Sequence, residues 1–220
     1  MLVFKYNPSE SMEEDLKIFQ EFNGSPFFKV YNFACDCITF GYFQNKNQIF
    51  NLDLAKRLKI EIVKRPTGGG IVFHSKEDII FSSVCKFDLF QNNFRNAYNF
   101  FSYIVLDALK QLNLPVSLFG QKNKISTADK LKNYCFSFSQ EYEIVLGNKK
   151  LVGIAQKRDK DKVLIQGAIK FAKPESNLFS ILKDRNCLDE AYIANFDKKI
   201  KKYEIIEVLK DCFTKTFARF

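Results

Sequence analysis

The chain has 220 residues, 46% of them apolar, and its 34 Lys and Arg exceed its 25 Asp and Glu, which gives a formal net charge of +9. This length suffices for one domain with a full hydrophobic core. The sequence contains no 18-residue apolar run and no signal peptide, which argues against a membrane-spanning or secreted protein and predicts a cytoplasmic one.

The first half of the chain mixes helices and strands. Ser11 starts an S-x-x-E pattern typical of a capping box, and an apolar face continues from Met12 to Phe22, which predicts a first helix ending by Gly24. A second, short helix is predicted over 52–58. Alternating apolar residues predict strands over 27–33, 37–40, 60–63, 71–73 and 79–84.

The second half contains the clearest helical pattern. Apolar residues recur every three or four positions from 94 to 112, which predicts a long helix ending near Pro115. A hairpin is predicted over 141–158, because Gly147 and Asn148 at its centre tolerate a positive φ. The remaining elements are a strand over 163–171 and a final helix from 205 to the C-terminus.

Several successive strands are joined by links too short for parallel crossovers. The order of elements therefore predicts an α+β fold in which a mixed, largely antiparallel sheet is packed by helices. Because no Pro/Ser-rich linker and no repeat divides the chain, we expect residues 1–220 to form a single domain.

A glycine-rich loop between two predicted strands is the most informative motif. Gly68, Gly69 and Gly70 lie between Arg65 and His74, the only histidine of the chain. Since glycine accepts φ > 0, this loop can turn tightly and bring its N–H groups against an acyl chain, a carboxylate or a phosphate. An ordinary hairpin or bulge is the alternative. His74 either accepts a proton or holds the loop by a hydrogen bond.

Cys135 and Lys150 form a second constellation, which suits acyl transfer. A thiolate attacks a thioester, and a neighbouring ammonium lowers the thiol pKa and stabilises the developing oxyanion. By spacing alone, a core cysteine beside an unrelated lysine is the simpler interpretation.

The positive charge favours an acidic partner, either nucleic acid or an acidic carrier protein. Basic clusters at 157–162 and 198–202 fit a solvated surface at least as well. A non-catalytic basic binding module is a third possibility, but it leaves the glycine loop without a purpose. The six cysteines are irregularly spaced, and Cys35 and Cys37 are too close for a zinc knuckle, so we expect reduced thiols and no metal site.

Five segments together resemble the catalytic domain of the biotin/lipoate protein ligase family, which includes lipoate–protein ligase A and the cysteine-dependent octanoyltransferases. The segments lie at 28–31, 38–44, 65–74, 147–158 and 166–169. The resemblance implies a biotinyl/lipoyl-transferase-like fold, a glycine loop along the acyl chain and a contact of Lys150 with the acyl carbonyl. The substrate-binding residues it implies are Arg65, Gly68, Gly69, Gly70, His74, Gly153, Ala155, Gln166 and Gly167.

The segment before the predicted hairpin resembles the octanoyltransferase branch. Cys135-Phe136, followed by Glu141-Tyr142-Glu143, resembles the segment in which a cysteine carries the acyl group as a thioester, whereas the ligases have an Arg-x-Asn-Asp-like segment. Many lipoate ligases also carry a C-terminal accessory domain or recruit it as a separate chain. The resemblance implies that residues 1–220 form a single acyltransferase/ligase catalytic domain without a C-terminal accessory domain, which also favours the octanoyltransferase branch. The sequence departs from the family pattern at Lys64, where an arginine often stands, and at Gln166, where a histidine often stands.

The preferred hypothesis is transfer of an octanoyl group from acyl carrier protein, through a Cys135 thioester, to a lysine of a lipoyl domain, without a cofactor. The resemblance implies, as acceptors, the acidic lipoyl domains of 2-oxoacid dehydrogenases or the glycine cleavage H protein, and neither nucleic acid nor a membrane as partner. The alternative is a lipoate–protein ligase that forms lipoyl-adenylate from ATP with Mg²⁺. Arg65 and Lys150 would then face the phosphate, and Cys135 would be structural.

Overall fold

The computed structural model describes residues 5–120, 142–183, 191–197 and 199–219. Its largest sheet has five strands, and all neighbouring strands are antiparallel except the edge pair β1 and β2. In spatial order the strands are β1 (Lys5–Tyr6), β2 (Phe27–Phe33), β6 (Ile79–Lys86), β11 (Lys162–Ile169) and β10 (Val152–Arg158). The prediction of a mixed, largely antiparallel sheet is confirmed.

Two smaller sheets of three strands flank this one. In the first, β3 (Cys37–Phe40) lies between β4 (Glu61–Lys64), to which it is parallel, and β5 (Val72–His74), to which it is antiparallel. The glycine loop connects β4 to β5 and therefore closes over the end of β3. The second consists of the antiparallel strands β7 (Val116–Leu118), β8 (Ile144–Leu146) and β9 (Lys149–Lys150). Strand β7 was not predicted.

The predicted hairpin over 141–158 is wrong in one respect. The chain turns at Gly147 with a φ of +62°, as expected, but the returning strand is interrupted at Leu151. Strand β9 pairs with β8, whereas β10 pairs with β11 in the large sheet. Leu151 joins the two sheets, because its N–H donates to the carbonyl of Ile144 at 2.9 Å and its carbonyl accepts from the N–H of Lys170 at 3.0 Å.

The first helix begins four residues earlier than the capping-box pattern predicts. Asn7 is its N-cap, since the Asn7 side chain accepts hydrogen bonds from the N–H groups of Ser9 and Glu10, and Pro8 occupies the first turn. Ser11 is buried within the helix. The helices are α1 (Pro8–Gln20), α2 (Lys46–Ile49), α3 (Leu52–Arg57), α4 (Phe94–Gln111), α5 (Ile193–Phe196) and α6 (Lys202–Phe217).

The main hydrophobic core lies between the five-stranded sheet and the pair of helices α4 and α6. Phe213 of α6 is buried in this core. The centroid of its ring lies 6.0 Å from the Phe101 ring on α4 and 5.9 Å from the Phe81 ring on β6. The predicted helices over 94–112 and from 205 onward are confirmed. Among the residues with described positions, no helix combines the length and apolar character needed to cross a membrane.

Candidate functional site

The glycine-rich loop curves around the side chain of Arg65. The Arg65 guanidinium donates hydrogen bonds to the carbonyl oxygens of Gly68 at 3.1 Å and Gly70 at 2.6 Å. Only 6% of Arg65 is exposed. Because a guanidinium offers several donors in one rigid plane, Arg65 fixes the curvature of the loop from inside.

Two glycines are required by the close packing of this loop. Gly69 has a φ of +90°, and a Cβ there would lie 3.3 Å from Nη2 of Arg65. Gly41, directly after β3, packs against the same turn, and a Cβ at Gly41 would lie 1.9 Å from the carbonyl oxygen of Gly69. A Cβ on Gly68 would meet nothing within 4 Å. Gly41 and Gly69 therefore shape the loop, while Gly68 borders open space.

Thr39 connects Arg65 to His74. Nη1 of Arg65 donates to Oγ1 of Thr39 at 2.7 Å, and the same hydroxyl lies 2.8 Å from Nε2 of His74. Burial, together with the positive charges of Lys170 and Arg65, holds the pKa of His74 well below its usual value, so the imidazole is neutral. Of the two sequence-based possibilities for His74, this geometry favours a hydrogen bond that holds the loop.

A narrow apolar pocket lies beneath the loop. Its volume is about 30 Å³, and most of its wall consists of apolar side chains, among them Met12, Phe33 and Ile80. A space of this size holds about two water molecules, so an acyl chain would have to displace a side chain, and Met12 is the most adaptable one. The predicted substrate-binding residues that line this pocket are Arg65, His74, Gly153, Ala155, Gln166 and Gly167.

Gly167 lines the pocket and is also required by the packing of the main core. A Cβ at this position would lie 2.0 Å from the ring of Phe81, which belongs to the main core. The glycine therefore makes room for the core on one side and borders the pocket on the other.

A wider cleft of about 480 Å³ lies on the other side of the loop. Gly68 and Gly69 form one wall, and the first turns of α4 form another with Arg95 and Tyr98. Ile154 and Ala155 of β10 line both the cleft and the apolar pocket. Ile154 and Ala155 thus form a shared wall between a narrow apolar pocket and an open, more polar cleft, and Gly68 and Gly69 border the cleft.

Lys150 is held by an ion pair behind this cleft. Its Nζ lies 2.6 Å from Oε1 of Glu143, and the hydroxyl of Tyr98 donates to the same oxygen at 3.4 Å. The Lys150 side chain is only 2% exposed. Since Tyr98 lines the cleft, the Lys150–Glu143 pair is connected to its wall by one hydrogen bond. A buried ion pair of this kind depends on both partners, because removing either leaves an uncompensated charge.

Cys135, the predicted nucleophile, lies outside the described residues, together with the Phe136 that follows it. The description resumes at Tyr142, which lines the cleft, and continues to Glu143, the partner of Lys150. The role of Cys135 stays a prediction.

A buried polar network supports the loop from the sheet side. The hydroxyl of Thr67 donates to Oε1 of Gln166 at 2.7 Å, and Nε2 of Gln166 donates to the Asp15 carboxylate of α1 at 2.6 Å. Asp15 also accepts from Ser82 at 2.8 Å and pairs with Lys29 at 3.0 Å. Burial raises the pKa of Asp15, and Lys29 opposes that effect. Both polar ends of the Gln166 amide are therefore occupied within this network.

The sequence interpretation missed the residues that support the site: Asp15, Thr39, Thr67 and Glu143. Thr39 could have been found from the sequence, because it is a polar residue inside the short apolar strand Cys37–Phe40. Asp15 and Thr67 could not, because their hydrogen-bond partners are distant in the sequence: Thr67 and Gln166 are 99 residues apart.

Solved structures of lipoate-protein ligases share this fold. One is a lipoate-protein ligase A bound with ATP, with a TM-score of 0.77 and 23% identity over 99% of this chain and 84% of that one. Another is a bi-partite lipoate protein ligase from Thermoplasma acidophilum, described with its E2 lipoyl domain, with a TM-score of 0.72 and 22% identity over 98% of this chain and 82% of that one. These matches show that the chain has the fold of the lipoate-protein ligases, as the resemblance implied.

The chain belongs to the Lipoyl protein ligase A/B catalytic domain family, whose model matches residues 7–213. Its curated relatives include the octanoyltransferase LipM of Clostridioides difficile (strain 630), which is 28% identical over 82% of this chain and 68% of that protein. The octanoyltransferase LipM of Geobacillus kaustophilus (strain HTA426) is 29% identical over 88% of this chain and 74% of that protein.

Proposed function

We propose that this protein is an octanoyltransferase that moves an octanoyl group from a carrier-protein thioester to a lysine of a lipoyl domain. The observation that carries the proposal is the wall shared by the apolar pocket and the open cleft. An aliphatic chain in the pocket would be removed from water, while its carbonyl would emerge at the loop, where the cleft admits a nucleophile. Relatives named octanoyltransferase, matched over more than four-fifths of the chain, support it.

The reaction has two acyl-transfer steps. The Cys135 thiolate attacks the carbonyl carbon of the donor thioester, a new C–S bond forms, and the C–S bond to the donor breaks, so that the donor leaves as a thiolate and takes up a proton. The neutral ε-amine of the acceptor lysine then attacks the enzyme thioester. A C–N bond forms, the C–S bond to Cys135 breaks, and the proton lost by the amine returns the cysteine to its thiol form.

Lys150 supplies positive charge in both steps. Its ammonium stabilises the thiolate of Cys135 before the attack and the oxyanion that develops during it. Glu143 keeps this ammonium in place at 2.6 Å, so that the charge need not reorganise when the reaction occurs.

The ATP-dependent ligase is the second candidate, and the fold match to a ligase bound with ATP is the observation in its favour. In that reaction ATP with Mg²⁺ would activate the carboxylate of lipoate. One of the two side chains predicted to face the phosphate does not fit this role as it stands. Arg65 points into its own loop, donating to Thr39, Gly68 and Gly70, whereas the pairing of Lys150 with Glu143 is common to both reactions. We therefore prefer the transferase.

The proposed partners are acyl carrier protein as donor and an acidic lipoyl domain, either of a 2-oxoacid dehydrogenase or of the glycine cleavage H protein, as acceptor. The net charge of +9 suits proteins with acidic surfaces. A solved relative of this fold is described with an E2 lipoyl domain.

The intact mass of the purified protein tests the proposal. After incubation with octanoyl acyl carrier protein we expect an octanoyl adduct that hydroxylamine removes, and that the Cys135→Ala variant does not form. Full acyl transfer by Cys135→Ala would overturn the covalent mechanism. Formation of lipoyl-adenylate from free lipoate and ATP, without a thioester adduct, would establish the ligase instead.

A further inference from the structure

An aromatic and basic surface lies beside the mouth of the cleft. It consists of Tyr42, Phe43, Lys64 and Lys157, and is called the rim below. Phe43 is 90% exposed, the most exposed of the large apolar residues that the structure describes. Its ring meets that of Tyr42 edge to face, with centroids 5.2 Å apart. Exposed apolar groups of this size often mark a surface that binds another protein.

Cations surround the aromatic pair. Nζ of Lys64 lies 4.6 Å from the centroid of the Tyr42 ring, and Nζ of Lys157 lies 5.2 Å from it. These distances are typical of cation–π contacts, which hold both lysines against the ring of Tyr42, the ring that Phe43 also contacts. An aromatic anchor within a basic surface is the composition expected for a contact with an acidic protein.

The rim is fixed to the walls of the cleft. The N–H of Tyr42 donates to the carbonyl of Thr67 in the glycine loop at 2.9 Å. Lys157 follows Gln156 on β10, and the two side chains point to opposite faces of the strand: Gln156 lines the cleft, and Lys157 lies over the ring of Phe19 on α1. A protein that contacts the rim is therefore placed against the glycine loop, next to the cleft that Gly68 and Gly69 line.

Like charge continues around the rim and the cleft. The rim and loop segments 41–48 and 64–70 and the cleft segments 94–99 and 153–158 contain no Asp or Glu, and Glu143, which follows the cleft residue Tyr142, is paired with Lys150. Within the ranges that the structure covers, their five outward-facing cations take part in no ion pair. These cations are Lys46, Lys64, Arg95, Lys157 and Arg158.

We propose that the rim is the docking surface for the acceptor, a small domain whose target lysine stands among acidic side chains. This inference rests on the proposed function. A lysine side chain has only four methylenes, so its ε-amine can enter the cleft only if the acceptor's own surface reaches the rim. Phe43 then inserts into an apolar part of the acceptor, and Lys64 and Lys157 pair with its carboxylates.

Acyl transfer with two kinds of substrate separates docking from chemistry. The donor is a small uncharged thioester, S-octanoyl-N-acetylcysteamine, and the acceptor is unlipoylated H protein or unlipoylated E2 lipoyl domain, whichever the wild-type enzyme modifies. For Phe43→Ala and for the double variant Lys64→Glu/Lys157→Glu, we expect the KM for the acceptor to rise by at least about tenfold. The rate of enzyme acylation by the small thioester should stay at the wild-type value.

Matched controls use an exposed ring and an exposed cation away from the cleft. Tyr203→Ala changes a ring on α6, which lines neither cavity, and Lys110→Glu lies about 20 Å along α4 from Arg95. Both variants should keep the wild-type KM. Raising the salt concentration should weaken acceptor binding to the wild-type protein and change it much less for Lys64→Glu/Lys157→Glu.

The outcomes distinguish the two proposals. An unchanged KM for the acceptor in both rim variants, or an equal rise in the controls, would overturn the docking surface and leave the transferase intact. If the wild-type protein forms no thioester with any donor, the proposed function fails. Direct titration of the acceptor domain against wild-type and rim variants would then still decide whether the rim binds it.

Discussion

The pocket and the cleft share a wall, but their polar groups are used in opposite ways. In the pocket, Arg65, Thr39 and Gln166 are bonded to other groups of the protein. At the cleft, cations such as Arg95 lie at an exposed margin. A site whose polar atoms are internally bonded presents an apolar surface, whereas open cations attract charged molecules. The proposed function uses this difference, with the acyl chain in the pocket and the partner at the cleft.

The largest expected effect is the difference in stability between alanine substitutions at two glycines. Gly41→Ala would place a Cβ 1.9 Å from the carbonyl oxygen of Gly69, and this overlap cannot be relieved by a side-chain rotation, because the Cβ position is fixed by the main chain and the oxygen belongs to the main chain. We expect loss of acyl transfer and a decrease in the free energy of unfolding of about 3 kcal/mol or more. Gly68→Ala is the control for stability, because its Cβ would meet nothing within 4 Å. Urea unfolding and acyl transfer measure both variants, and equal stability would refute the proposed shape of the loop.

The next largest effect concerns the ion pair behind the cleft. Glu143→Ala leaves the Lys150 ammonium buried without its carboxylate, so we expect the free energy of unfolding to fall by about 3 kcal/mol. Enzyme acylation should also slow, because the ammonium is no longer held in place. A double-mutant cycle with Lys150→Met isolates the pair. A coupling energy near zero would show that Glu143 does not position Lys150.

A smaller effect is expected at the centre of the glycine loop. Arg65→Lys keeps the charge, but a lysine cannot bond Thr39, Gly68 and Gly70 from one rigid plane. We expect a loss of about 2 kcal/mol in the free energy of unfolding, and weaker binding of octanoyl substrates. The KM for the small octanoyl thioester tests this, and an unchanged KM would contradict the role of Arg65 in shaping the pocket.

The smallest effect is a pH dependence due to His74, the only histidine. Its pKa is held well below 6.5 in the folded protein, so below that pH the unfolded chain binds a proton that the folded one does not. Stability should therefore fall as the pH drops below about 6.5, by at most about 1.4 kcal/mol per pH unit. Urea midpoints at pH 7.5, 6.5 and 5.5 should show this decline, and His74→Gln should reduce it. An identical decline in both proteins would assign it to other groups.

Periodicity predicted the parts of the fold that depend on local pattern. The stripe over 94–112 became α4 almost to the residue, because one face of the helix packs against α6 and the sheet. The start of α1 was misplaced because two local signals competed, and Asn7 followed by Pro8 caps more effectively than Ser11. The break at Leu151 had no local signal, since it depends on pairing with β11.

The sequence allowed a choice of candidate site residues within motifs, but it did not reveal the residues that hold them in place. Arg65, His74 and Lys150 could be chosen because their residue types are unusual beside glycines or a turn. Their hydrogen-bond partners could not, because Thr39 and Glu143 are common residue types whose role appears only when distant segments meet. The sequence also predicted Arg65 as a substrate ligand, whereas the structure shows which loop atoms it bonds.

The interruption at Leu151 determines how far the lysine lies from the pocket. Lys150 belongs to the small sheet and Gly153 to the large one, and the backbone of Leu151 is bonded to both. Inserting or deleting one residue here would turn one of the two to the opposite face of its sheet. In the proposed reaction, the distance between the Lys150 ammonium and the acyl chain is therefore set by the main chain. Donor and acceptor preferences can diverge through side-chain changes while this length stays constant.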